Sequence, residues 1–258
     1  MIKVHNLQKI YGKGSTATHA LKGISLQVHP GEFIAIMGRS GSGKSTLLHL
    51  MGLLDSPTSG DISLDNRKVL QLSAEEQAKF RLSHLGYVFQ EFSLISEMTI
   101  LENTYLPSVG LGKQNHHRDR AQNLLQTVGL GERLDHYPHE ISGGEQQRAA
   151  IARALINQPK ILFADEPTAS LDASSAKIVL ELFKRLNREL NQTIVMVTHE
   201  PEDRKYVDRV IWLKDGLMED TDITGNPTID PLRLEKLSGF LSDRMTGTIN
   251  SHIQRLPG

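Results

Sequence analysis

The sequence predicts an α/β fold with a mainly parallel sheet and an α-helical subdomain inserted into it. Short apolar runs at 33–37, 161–164 and 193–197 have the character of strands that are buried on both faces. Helical periodicity separates these runs, and the pattern from about 91 to 160 is mostly helical. Strands that alternate with helices in this way favour a parallel sheet.

The N-terminal half contains the first strands and one well-defined helix. Ile2 and Val4, and the alternating Ile24, Leu26 and Val28, indicate half-buried strands. A buried strand follows at 33–37, then a glycine-rich loop and a helix over 44–51 with Gly52 as its C-cap. Strand, loop and helix therefore follow one another directly.

Later elements are indicated by caps and by residue type. Ser73 and Glu76 have capping-box spacing and start a helix through Leu82. The segment 86–90 predicts a short strand, and 174–190 an amphipathic helix. We expect the first domain to end near residue 219, followed by a tail over 220–258.

The tail differs in character from the rest. Asp230 and Pro231 could start a short helix there that carries Leu234, Leu237 and Leu241. Either a regulatory role or simple coverage of the domain is compatible with this pattern.

Composition excludes several classes of protein. Among 258 residues, 29 are Lys or Arg and 30 are Asp or Glu, so the net charge of −1 gives no general electrostatic case for nucleic-acid binding. Cysteine is absent, which excludes disulfides and thiolate metal sites. No apolar run resembles a signal peptide or a membrane span, so we expect a cytoplasmic protein that reaches a membrane only through a partner.

The glycine-rich loop has the residues of a phosphate-binding site. Gly38, Gly43, Lys44 and Ser45 match G-x-x-x-x-G-K-[ST], in which backbone N–H groups and a helix N-terminus surround phosphate oxygens. We expect Lys44 to contact the β- and γ-phosphates and Ser45 to ligate Mg²⁺. A flexible glycine-rich turn is the alternative, and the flanking strand and helix argue against it.

A second part of the site is expected at the end of the strand over 161–164. Asp165 would hold Mg²⁺, directly or through water, and Glu166 would orient or deprotonate the attacking water. An acidic pair at a strand end is otherwise often a solvated turn. The upstream phosphate loop makes the catalytic interpretation the better one.

Further motifs resemble those of the ABC ATPase family, and they occur in that family's order. The segment 141–155, ISGGEQQRAAIARAL, is similar to the signature motif, although Ile141 and Glu145 stand where Leu and Gln are commonest. Gln90 resembles the Q-loop glutamine, 169–172 (ASLD) the D-loop, and His199 the switch histidine. The resemblance covers about 1–219 and implies a P-loop NTPase fold of the ABC type, with an antiparallel β part.

The resemblance also implies roles for particular residues. Ser142, Gly143 and Gly144 would hold the γ-phosphate of ATP bound to a second copy, and Asp172 would organise that dimer interface. His199 would contact the γ-phosphate, and Gln90 would sense metal and water and connect the site to a transporter partner. A lone histidine after a strand is otherwise more often structural. Tyr11 would stack on adenine, or would only pack at a strand edge. The complete expected nucleotide set is Tyr11, Gly38, Arg39, Ser40, Gly41, Ser42, Gly43, Lys44, Ser45, Thr46, Gln90, Ser142, Gly143, Gly144, Asp165 and Asp172, with Ser45, Gln90 and Asp165 as the metal set.

The partners and the location follow from the same resemblance. Segments 53–65, 85–107 and 154–172 look most like the lipoprotein-release and macrolide-export (LolD and MacB type) group, with the cell-division ATPases as close relations. The implied function is ATP hydrolysis coupled to an integral membrane permease at the cytoplasmic face of the inner membrane, with 91–107 as the docking surface. The alternatives are a soluble ABC ATPase of translation or DNA repair, and a nucleotide-gated regulatory ATPase of a cell-envelope or division complex.

Overall fold

Two sheets carry the strands in the computed structural model, which describes residues 1–112 and 117–223. The smaller sheet is antiparallel and has the order β2-β1-β4-β5. Its strands are β1 (Ile2–Tyr11), β2 (Thr18–Val28), β4 (Ser59–Leu64) and β5 (Arg67–Lys68). The alternation expected in β2 is confirmed, because Ile24, Leu26 and Val28 are all buried.

The larger sheet has the order β10-β9-β3-β8-β7-β6. Its strands are β3 (Phe33–Met37), β6 (Leu85–Val88), β7 (Ile161–Asp165), β8 (Thr193–Val197), β9 (Arg209–Lys214) and β10 (Leu217–Ile223). All neighbouring pairs are parallel except β9 and β10. The predicted α/β fold with a mainly parallel sheet and an antiparallel β part is therefore confirmed.

Strand β3 is central to this sheet and is buried on both faces, as its apolar run predicted. Phe33, Ala35 and Met37 pack in one hydrophobic cluster with the helices of the subdomain. Ile34 and Ile36 belong to a second cluster, which includes residues of the antiparallel sheet. Because successive side chains of a strand point to opposite faces, one strand joins both cores.

Six α-helices occur in the described ranges. They are α1 (Lys44–Met51), α2 (Ala74–His84), α3 (Ile100–Val109), α4 (His117–Thr127), α5 (Gly143–Leu155) and α6 (Ala173–Leu190). Helices α3, α4 and α5 contact one another and lie between β6 and β7 in the chain, which confirms the inserted helical subdomain. The capping box of Ser73 with Glu76 and the C-cap at Gly52 are also present.

Some boundaries differ from those the sequence predicted. Strand β6 begins at Leu85 and ends at Val88, so Phe89 and Gln90 lie in the loop that follows rather than in the strand. The last strand, β10, continues to Ile223 by pairing with β9, past the domain end expected near residue 219. The helix predicted from Asp230 lies outside the described residues. In the ranges that the structure describes, no helix has the length and apolar character to cross a bilayer.

Candidate functional site

The glycine-rich loop lies at the carboxyl end of the central strand β3. Two glycines are required there by the backbone: Gly38 has φ 154° and Gly43, the N-cap of α1, has φ 100°. A side chain at Gly38 would collide with the carbonyl oxygen of Leu213, and one at Gly43 would collide with that of Ala20. Only glycine therefore allows the loop to turn between β3 and α1 against these neighbours.

Two polar side chains of the loop are buried without the partners that burial normally demands. The ammonium of Lys44, 6% exposed, donates to the carbonyl oxygen of Arg39 at 3.1 Å, and in the described part of the chain it pairs with no carboxylate. The hydroxyl of Ser42, 4% exposed, has no hydrogen-bond partner among the residues that the structure describes. Because unpaired buried groups of this kind are costly, both favour an anionic ligand at the loop.

A cleft of about 860 Å³ opens beside the loop. The loop residues Gly38 to Ser42 and Lys44 line it, together with Glu166, His199, Trp212 and Lys214. These elements meet because β8 and β9 flank β3, and the carboxyl ends of parallel strands lie at one edge of the sheet. Ligands of open α/β sheets bind at this edge.

Ser45 and Asp165 meet as the sequence predicted. The hydroxyl of Ser45 donates to Oδ1 of Asp165 at 2.9 Å, which brings the first turn of α1 to the end of β7. Nε2 of His49 lies 3.3 Å from Oδ2 of the same carboxylate, a contact the sequence reasoning missed. His49 stands four residues after Ser45 on α1, so helical spacing could have indicated it.

The donors present at this point suit Mg²⁺. One hydroxyl and one carboxylate are oxygen ligands, and Mg²⁺ is usually bound by one or two carboxylates with phosphate oxygens and water completing its shell. Over the described ranges, no group of three or more His, Cys, Asp or Glu side chains could hold a metal alone. A cation bound by Ser45 and Asp165 would therefore depend on the phosphates of a nucleotide.

Glu166 and His199 both line the cleft and contact each other there. Oε2 of Glu166 lies 3.3 Å from Nδ1 of His199, and Nε2 of that ring lies 3.2 Å from Oε1 of Glu200. Glu166 adopts φ 44°, a left-handed conformation that costs about 1–2 kcal/mol for a residue with a side chain. Its backbone N–H donates to the carbonyl oxygen of Val197 at 2.9 Å, which holds it beside the end of β8.

Tyr11 is held at the edge of the antiparallel sheet, with 43% of its surface exposed. Its hydroxyl donates to Oδ2 of Asp55 at 2.9 Å, and Nζ of Lys9 lies 4.7 Å from the ring centre. Desolvation raises the pKa of Tyr11, and hydrogen bonding to Asp55 raises it further while the hydroxyl of Thr46 lowers it. Tyr11 is thus close to α1, but it does not line the cleft.

The residues of the signature motif lie outside the cleft. Ser142 caps α5 in a capping box with Glu145, and neither Ser142, Gly143 nor Gly144 lines the cleft. A side chain at Gly144 would lie 2.6 Å from the hydroxyl of Ser175, so this position is also closed to other residues.

Asp172 caps the neighbouring helix α6. It accepts hydrogen bonds from the backbone and hydroxyl groups of Ser174 and Ser175, which lower the pKa of its carboxyl well below the ordinary range. The helix starts that carry the exposed Ser142 and Asp172 thus approach each other at Gly144 and Ser175.

Gln90 is exposed in the loop after β6 and does not line the cleft. The start of its loop is held by Gln147 of α5, which donates to the carbonyl oxygens of Phe89 at 3.3 Å and of Pro167 at 2.6 Å. Gln147 is fully buried and therefore ties the helical subdomain to the segment after Glu166.

Comparison with known proteins agrees with this arrangement. A family model described as ABC transporter matches residues 21–169. An ABC transporter ATP-binding protein of Methanocaldococcus jannaschii is 52% identical over 84% of this chain and 96% of its own length. A macrolide export ATP-binding/permease protein, MacB, of Rhodopirellula baltica is 46% identical over 91% of this chain, which spans only 35% of that relative.

Solved structures are similar as well. The dimeric structure of an ATP-binding cassette in a post-hydrolysis state, bound to ADP and Pi, has a TM-score of 0.81 and 41% identity. That similarity covers 87% of this chain and 99% of the solved one.

Proposed function

This chain belongs to the ABC transporter family and is an ATP-binding subunit that hydrolyses ATP, and from this premise we propose that its site is completed by a second copy. In this proposal the loop at 38–45 of one copy holds the triphosphate, and Ser142 and Gly144 of the other copy cover the γ-phosphate. The observation that carries it is the position of the signature residues, which lie outside the cleft of their own chain. The dimeric cassette bound to ADP and Pi supports the same arrangement.

The side chains in and beside the cleft have different proposed roles in ATP hydrolysis. Lys44 and Ser42 offer a buried ammonium and a free hydroxyl to phosphate oxygens. Ser45 and Asp165 would hold Mg²⁺, which supplies positive charge to the phosphates when bound. Backbone N–H groups of the loop and the N-terminus of α1 add further donors.

Glu166 is proposed as the general base. Its carboxylate takes the proton from water as the water oxygen attacks the γ-phosphorus, and the bond to the leaving ADP oxygen breaks. His199, 3.3 Å from this carboxylate, would orient it and contact the γ-phosphate. Tyr11 would stack on adenine.

A membrane permease is the proposed partner, and its proposed contact is the segment 91–107, of which the part before α3 is the loop at 91–99. The loop is held firmly by Asn103, which accepts from the N–H of Ile95 at 2.7 Å and donates to the carbonyl oxygens of Ile95 and Met98. Arg153 of α5 donates to the carbonyl oxygen of Phe92 at 2.8 Å. A displacement of this loop by a partner would therefore reach the signature helix, which is the coupling that transport requires.

The names of relatives support an export-type role. The MacB protein of Rhodopirellula baltica is named as both an ATP-binding and a permease protein. The present chain spans about a third of its length. The proposed location is the cytoplasmic face of the membrane, with the chain bound to a permease of the lipoprotein-release or macrolide-export type. Gln90 would connect the site to that partner.

A single-cysteine crosslink tests the partner. The sequence contains no cysteine, so Ile95→Cys, at a side chain that is 38% exposed, provides a unique reactive group. Crosslinking in native membranes should capture an integral membrane subunit, and Ile178→Cys on α6, 51% exposed, is the matched control that should not. Capture of division proteins would support the regulatory alternative, and equal crosslinking at both positions would contradict the proposed surface.

A further inference from the structure

Asp203 is a buried acidic residue that the proposed chemistry does not use. It lies in the short 3₁₀ turn Pro201–Tyr206, which follows His199, and only 3% of it is exposed. Carboxylates are rarely buried to this extent unless hydrogen bonds or charges compensate for the loss of water. Its partners therefore show what it does.

The partners of Asp203 come from the two loops that carry the proposed catalytic groups. Thr198, which directly precedes His199, donates its hydroxyl proton to Oδ2 of Asp203 at 2.6 Å. The hydroxyl of Thr168, two residues after Glu166, lies near the same carboxyl and lowers its pKa. Thr198 and Thr168 are 2% and 7% exposed, so water cannot readily replace either contact.

The hydroxyl of Thr198 has a second bond that extends the connection through His199. It accepts a hydrogen bond from the backbone N–H of Glu200 at 3.1 Å. Thr198 and Glu200, the two neighbours of His199, are therefore bonded to each other. The imidazole itself has 50% of its side chain exposed and contacts carboxylates that are also partly exposed. The buried threonine bonds are therefore the better-protected support of this loop.

We propose that Asp203 is a positioning residue, which holds the loops of Glu166 and His199 at the separation that their chemistry needs. This inference rests on the roles proposed above for those two side chains. Asp203 touches neither of them in a hydrogen bond and acts through Thr198 and Thr168.

The role depends on hydrogen bonding more than on charge. Desolvation raises the pKa of Asp203, and the nearby carboxylate of Glu200 adds to this, while the hydrogen bonds and His199 lower it. A neutral side chain that can bond to both Thr198 and Thr168 should therefore hold the two loops as the carboxylate does. Asparagine meets this condition, because its amide oxygen can accept from Thr198 and its amide nitrogen can donate to Thr168.

Steady-state ATP hydrolysis by two substitutions tests the proposal. Asp203→Val removes, at similar volume, the carboxylate that both threonines contact, and we expect kcat to fall about 10- to 100-fold with little change in KM, because small displacements of catalytic groups have effects of this size. Asp203→Asn should stay close to wild type. Glu202→Val, which removes the neighbouring exposed carboxylate, is the matched control and should also stay close to wild type.

Additional measurements separate positioning from folding. Urea unfolding gives the folded fraction of each variant, and kcat is expressed per folded molecule. Adding Thr168→Val to Asp203→Val should cause little further loss, because the contact of Thr168 with Asp203 is already gone. An unchanged kcat in Asp203→Val, or an equal loss in Asp203→Asn, would overturn the proposal.

The same assay distinguishes this inference from the function on which it rests. If Glu166→Gln and His199→Ala are inactive while Asp203→Val is not, only the positioning role fails. If Glu166→Gln hydrolyses ATP normally, the proposed catalytic site itself is wrong.

Discussion

The unpartnered hydroxyl of Ser42 leads to a prediction with opposite signs for stability and binding. Ser42→Ala removes a buried hydroxyl whose unmet hydrogen bond costs about 1–3 kcal/mol. The substitution also loses the van der Waals contacts of the hydroxyl oxygen. We expect the nucleotide-free protein to gain about 1 kcal/mol, a rise in Tm of about 2–4 °C for a domain of this size.

Binding should change in the other direction. A hydrogen bond from this hydroxyl to a charged phosphate contributes about 1.5–3 kcal/mol, so its loss should weaken ATP about 10- to 100-fold. The same variant should thus have a higher Tm without nucleotide and a smaller increase in Tm when ATP is added.

Thermal unfolding with and without ATP measures both effects, and Ser108→Ala is the matched control. Ser108 is 3% exposed, but its hydroxyl donates to the carbonyl oxygen of Tyr105 at 2.5 Å, so its removal should lower stability by about 0.5–1.5 kcal/mol without affecting ATP. A lower Tm in nucleotide-free Ser42→Ala, or an unchanged ATP affinity, would refute the reasoning.

Other substitutions test the cleft. Lys44→Ala should weaken ATP binding and reduce turnover together, because a buried ammonium that pairs with no described carboxylate is lost from the phosphates; equilibrium binding at unchanged affinity would contradict this. Glu166→Gln should keep ATP binding and reduce kcat by about 10²–10⁴-fold, the usual contribution of a general base, as a single-turnover assay would show. Tyr11→Ala should weaken ATP by about 1–3 kcal/mol if the ring stacks on adenine, whereas Tyr11→Phe should retain most of the affinity; equal losses in both would point to the hydrogen bond with Asp55 instead.

The sequence was sufficient for the site's local elements. The buried strand, the glycine loop and the start of α1 are adjacent in the chain, so their geometry follows from local residue types. Ser45 and Asp165 were expected to share one Mg²⁺, which requires the proximity that the structure has. The end of β6 was misplaced, because Phe89 favours strands although its backbone has left the sheet.

Other site residues depend on strand order, which residue patterns do not encode. Trp212 and Lys214 line the cleft because β9 pairs with β3, although about 175 residues of chain separate the two strands. The burial of Asp203 likewise depends on the packing of the turn at 201–206 against two loops. Such contacts arise from topology and could not be derived from composition or periodicity.

The central claim is that each ATP site is shared between two copies, and mixing two inactive variants tests it most directly. Lys44→Ala disables the phosphate loop, and Ser142→Glu replaces the capping hydroxyl of α5 with a negative charge where the signature would meet the γ-phosphate. In a head-to-tail dimer of one copy of each, one site is damaged twice and the other is intact. An equal mixture, with about half of the dimers mixed, should therefore recover about a quarter of wild-type turnover. Activity no greater than that of the separate variants would contradict a shared site.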